Sequence, residues 1–218
     1  MLAILVTTAA ISWNFPSPFM VMISYIGIFA AAISSVVTFG FWMPFIGFII
    51  NPRPHLAPKT WLVFAAGEGF FIGLISLSFE TMFPGIVLEA VSLTFCVAAT
   101  LLFLYKSGIV KPSQNFVLML CSAIFGIFLF YIGSLIYSLV TGVSPEIFSG
   151  SSNASIGLSL FIVGIAALSL VLDFDIIEQS AEYGSPKYME YFGAMALVTT
   201  LIWLYIEILR LLAKFRSR

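Results

Sequence analysis

Charge is what this chain of 218 residues has least of: aspartate, glutamate, lysine and arginine make up 9% of it, against 61% hydrophobic residues. Ordinary soluble domains carry roughly 25% charged residues, and so few could not clothe a water-facing surface. A soluble fold is excluded. Histidine is reduced to His55, which rules out a multi-histidine metal site and leaves a histidine-paired nucleophile only that one position. The two cysteines, Cys96 and Cys121, lie inside apolar runs and read as small buried hydrophobes rather than a disulfide framework. A net charge of −1, with no basic run before the last few residues, gives no electrostatic footprint for nucleic acid. Phosphate-cradling glycine motifs are missing, as is the Gly-x-Gly-Asp pattern of an intramembrane aspartyl protease. The glycines are instead scattered through apolar runs, where helix packing accounts for them. No soluble-enzyme constellation is left, and the sequence reads as that of a non-enzyme.

What is present is a series of long apolar runs. A bilayer span needs about 20 mostly apolar residues, and lipid leaves helices or closed barrels as the only options for crossing it. Unbroken runs exclude the alternation of a barrel. The expected fold is therefore an all-α integral membrane protein of seven spans, at about 1–13, 19–42, 60–80, 85–105, 115–141, 154–176 and 188–213. The first run has no basic leader and no small-residue cleavage site after it, so it reads as a span and not a signal peptide. Gly40 and Pro44 interrupt the second, which is one long kinked helix or a helix followed by an interfacial stretch.

Cytoplasmic loops collect lysine and arginine. Arg53, Lys59, Lys106, Lys111 and Lys187 all fall in alternate loops, while 14–18, 81–84 and 142–153 have neither residue type. That predicts a cytoplasmic N-terminus and an outer C-terminus. Lys214, Arg216 and Arg218 oppose it: either the five loop charges outweigh the tail, the reading adopted here, or the last span is re-entrant.

Ionisable residues at membrane depth cost about 2.5–3.5 kcal/mol on insertion scales, and they usually face the bundle interior and mark a pathway or relay. Glu68 lies about 12–14 Å into its span at about 1.5 Å per residue, between Gly67 and Gly69, which should admit a close helix neighbour. Asp173 is flanked by apolar residues near the cytoplasmic end of the sixth span. With no cation on its own helix, it is a candidate proton-sensitive group. Asp175 is two residues away and points elsewhere. With Glu178, Glu182 and Glu190 it reads as a hydrated acidic mouth. Glu89 is either an interfacial carboxylate favoured by a helix start or, like Asp175 and Glu207, part of an ion pathway. Glu207 and Arg210, three apart on one face, also fit a structural ion pair. His55, among Pro52, Pro54 and Pro58, reads as a loop residue.

The stretch from Asp173, D-F-D-I-I-E-Q-S-A-E-Y-G-S-P-K-Y-M-E-Y-F-G-A-M-A-L, and the closing L-Y-I-E-I-L-R-L-L resemble the transmembrane Bax inhibitor motif family. Within it they are similar to the bacterial Bax inhibitor-1/YccA-like branch. P-G-I-V-L-E-A-V-S-L-T-F around Glu89 extends the resemblance over about residues 50–218. It implies seven helices with the last one central, in a bacterial cytoplasmic membrane, and a pH-sensitive calcium leak channel with no cofactor beyond calcium as the permeant ion. It also implies a second reading, a non-transporting regulator that binds a membrane protease or another integral partner through its lipid-facing surface. Two aspartates sharing a proton govern the closed state in the family. The first corresponds to Asp173, but the second position is occupied by Thr200, and a threonine cannot supply a coupled carboxylate. Glu68 then becomes the candidate partner by depth, and Thr200 a hydrogen-bonding neighbour of Asp173 across helices.

Overall fold

In the computed structural model, residues 57–141 and 152–217 are described. The expected spans 1–13 and 19–42, His55 and the N-terminal orientation lie outside them. The described chain forms five helices: α1 Ala57–Met82, α2 Ile86–Lys106, α3 Gln114–Thr141, α4 Asn153–Glu182 and α5 Tyr188–Arg216. No strand occurs among the described residues. Four of the helices, α2 to α5, are long and apolar enough to cross a membrane, as an integral membrane protein requires.

Each helix passes its expected limit at one end or both, and α2 also begins one residue late. The largest difference is α4, which continues past 176 to Glu182 because nothing in Asp175–Glu182 breaks a helix. It stops where Gly184 adopts a left-handed φ of 62°. Gly184 N–H then donates to Ala181 and Ser185 N–H to Ser180, a Schellman closure that glycine makes without steric cost. The turn between α1 and α2 is built by one side chain. Glu80 accepts from Gly85 N–H at 2.6 Å and Val87 N–H at 3.1 Å, satisfying orphan amides at the start of α2, while Gly85 sits at φ 84°.

The cross-helix contacts fix directions. Ala57 and Phe64 cluster with Met195, and Ser76 bonds Tyr205 at 2.7 Å, so α1 runs parallel to α5. Ile177 lies against Gly193 and Ser159 against Lys214, so α4 runs antiparallel to α5. The last helix is the axis of this packing: 61% of its apolar window is buried, against 17% for α2 and α3. Phe95, Phe103, Leu118 and Phe125 stay exposed on those outer helices, and lipid is the solvent for such faces. Cys96 and Cys121 are also exposed, not buried as their apolar setting suggested. An apolar run in a membrane has an outward side as well as an inward one.

Candidate functional site

Polar groups collect along α5 at three levels. The first is where α4 crosses it. Asp173, partly buried, has the Thr200 hydroxyl within hydrogen-bonding reach across the interface. Its Oδ2 is buried and meets no polar partner among the described residues. Thr200 is itself buried at 3% exposure and donates to the Ala196 carbonyl at 3.2 Å.

Glu68 lies one turn beyond Phe64 on α1, and one turn beyond Met195 on the parallel α5 brings Thr199 and Thr200 to the same level. The side chain is 3% exposed, and neither carboxylate oxygen has a polar partner among the described residues. Glu68 and Asp173 share a depth without meeting: neither Glu68 oxygen nor Asp173 Oδ2 has a hydrogen-bond partner among the described residues. Depth alone suggested them as partners, but α1 and α4 each pack mainly against α5 rather than against each other. Equal height on two sides of a central helix is not proximity. Nor does a described helix approach the glycines beside Glu68: a Cβ added at Gly67 or Gly69 would meet nothing within 4 Å among the described residues. The close helix approach is at Gly193, where an added Cβ would lie 2.9 Å from Ile177 Cγ1.

The second level is one end of the bundle. Tyr105, in the last turn of α2, donates towards Asp175 at 3.2 Å and makes a shorter hydrogen bond to Glu178. Gln179 donates to the other Asp175 oxygen at 2.6 Å. The continued α4 helix places 175 and 178 on one face, so these carboxylates tie α2 to α4. Glu178, Glu182 and Glu190 are exposed and Asp175 is partly buried. The signal for Tyr105 was available, an aromatic with a polar tip at the end of an apolar run.

The third level is the opposite end. Glu207, 2% exposed, pairs with Arg210 at 3.0 Å, and Tyr131 of α3 donates to Glu207 at 2.8 Å while accepting from Arg210. The Arg210 guanidinium also lies 5.5 Å from the Tyr131 ring centroid. Lys214 is buried at 6% exposure. It donates to Ser159 Oγ at 2.7 Å and the Ser155 carbonyl at 3.3 Å, although in sequence it looked like a tail charge. Glu89 pairs with Arg216 at 2.7 Å, and Arg216 also donates to the Pro84 carbonyl at 2.8 Å. Glu89 and Glu207, both considered for an ion pathway, are thus ion-paired. No cluster of three or more His, Cys, Asp or Glu able to hold a metal occurs among the described residues.

A family model described as Bax inhibitor 1 like matches residues 1–217. No curated protein and no solved structure matches.

Proposed function

The chain belongs to the Bax inhibitor 1-like family, and on that premise we propose that it is a pH-sensitive cation leak pathway, with calcium as the permeant ion, gated at Asp173. The observation that carries this reading is the burial of Asp173 Oδ2 without a polar partner among the described residues, on the stretch of α4 that faces Thr200 of α5. The Thr200 hydroxyl already spends its hydrogen on the Ala196 carbonyl, so its remaining lone pair is an acceptor. A protonated Asp173 can donate to it, whereas an ionised Asp173 can only accept, which requires the hydroxyl to turn away from Ala196. Ionisation therefore reverses the donor between α4 and the central helix and leaves a buried charge that favours water entry. A carboxyl–hydroxyl pair replaces the two carboxylates of the family's proton-sharing arrangement.

The loop charges place the end bearing Tyr105 and Asp175 in the cytoplasm. The tail charges that oppose this orientation are engaged by the fold: Lys214 by α4 and Arg216 by Glu89 and Pro84. An outer C-terminus is the orientation these charges support, and a bacterial cytoplasmic membrane is proposed from the family resemblance alone.

The test is calcium entry into dye-loaded proteoliposomes over about pH 5 to 8, the span in which buried carboxyls titrate. Wild type is compared with Asp173→Asn at matched reconstitution. A pH-dependent flux in wild type that becomes pH-insensitive in Asp173→Asn is the expected outcome. Folded protein that passes no calcium at any pH would overturn the channel reading.

A further inference from the structure

Glu68 is the least compensated group in the described bundle. It is 3% exposed, and both oxygens lack a polar partner among the described residues. The packing of α1 beside α5, from Ala57, Phe64 and Met195 to Ser76 and Tyr205, holds it within the membrane-spanning part. The groups that could compensate it are engaged elsewhere or distant. On α5, Glu190 and Tyr191 lie at the helix start and Tyr205 bonds Ser76. Further along α5, Glu207 and Arg210 pair with each other, and Lys214 bonds Ser159. On α2, Glu89 pairs with Arg216 and Tyr105 serves Asp175 and Glu178. On α1 itself, Lys59 lies more than two turns before it and Glu80 more than three turns after. Asp173 of α4 does not act on it.

An ionised carboxylate so placed would carry its full desolvation cost with nothing to offset it, and such a group neutralises instead. We propose that Glu68 is a self-standing proton-binding site, loaded with a proton in this conformation and independent of Asp173. The proposal does not rest on ion conduction. It separates two carboxyls that depth would pair: Asp173 hands its proton to an interhelical hydrogen bond, whereas Glu68 keeps its own in an apolar setting. Any rearrangement that opens the α1–α5 contact to water releases that proton, and the site links the packing of α1 to pH.

The test is infrared spectroscopy of the full chain in lipid at neutral pH, reading the carbonyl stretch of a protonated carboxylic acid. The expected result is an acid band that shifts in heavy water, is lost in Glu68→Gln and persists in Asp173→Asn. A second measurement is reaction with a lipid-soluble carbodiimide. The protonated carboxyl adds across one C=N bond, its proton passing to nitrogen, and acyl migration then leaves a stable N-acylurea with no leaving group. The adduct should map to Glu68, be absent from Glu68→Gln and form more slowly as pH rises.

Three results would overturn the proposal. The first is a wild-type spectrum without an acid band assignable to Glu68. The second is loss, in Asp173→Asn, of the same band that Glu68→Gln removes, which would make the pair coupled. The third is a band that appears only after Arg53→Gln or His55→Gln, the basic side chains in residues 1–56, which would make Glu68 an ion-paired carboxylate. Loss of the band on adding calcium at constant pH would reassign the site to the cation. Absence of calcium flux would leave the band unchanged, so failure of the channel reading is distinguishable.

Discussion

In the proposed gate Thr200 stands where the resemblance implies a second carboxylate, and its side chain can be altered without changing its volume much. Thr200→Val removes the acceptor that a protonated Asp173 would use while keeping the shape. Calcium flux measured against pH should lose its inflection in this variant while the protein still elutes as a single species. Thr200→Asp restores a second carboxylate opposite the first, and two such groups titrate in separated macroscopic steps. Its flux profile should therefore broaden into two inflections. At the other end, Tyr131 is the hinge of a charged triad, donating to Glu207 and accepting from Arg210. Tyr131→Phe leaves Arg210 and Glu207 paired but each short of a partner. A loss of about 1–3 kcal/mol follows from hydrogen bonds to charged groups, read as a lower unfolding midpoint in micelles. Glu68 and Asp173 were singled out in the sequence because a charge inside an apolar run is conspicuous. Tyr131 and Lys214 were not, because a tyrosine fits an apolar run and a terminal lysine resembles any tail.

At the scale of the element, the α4–α5 pair depends on the approach of Ile177 to Gly193. A Cβ at 193 would fall 2.9 Å from Ile177 Cγ1, closer than carbon atoms pack. Ile177 is 37% exposed and has room to turn aside. Gly193→Ala is therefore expected near the lower end of the 1–3 kcal/mol that overpacking costs, about 1 kcal/mol. Adding Ile177→Ala should restore most of the loss, and a double-mutant cycle on unfolding midpoints checks it. The helix limits show how composition misleads locally. Acidic residues between Asp175 and Glu182 looked like a loop because charge leaves the membrane, yet they form regular helix until Gly184 closes it. Hydropathy reports where lipid ends, and backbone hydrogen bonding reports where the helix ends.

For the whole molecule, the central place of α5 concentrates polar contacts on one helix: Thr200, Glu207, Arg210 and Lys214 all reach or pair beside its neighbours. Its far end is pinned by Arg216 to the α1–α2 turn, a partly exposed contact worth at most about 1 kcal/mol. The proposed orientation puts Ser217 outside. Ser217→Cys, with Cys96 and Cys121 replaced by alanine, should be modified in intact cells by a membrane-impermeant thiol reagent. Protection until the cells are opened would place the tail in the cytoplasm and reverse the assignment.

The sequence by itself determined that this is a helical membrane protein, where most of its described helices run, and which carboxylates lie deep. All three follow from one-dimensional quantities: the length of apolar runs and the position of charges within them. Only the tertiary structure decided which of those charges meet. Glu68 and Asp173 match in depth but lie on helices that face different parts of α5, Asp175 and Glu178 converge on a tyrosine 70 and 73 positions away, and Lys214 reaches back to Ser159. Depth is a property of distance along the chain. Partnership depends on the rotation of each helix about its axis, and that is set by packing all of them together.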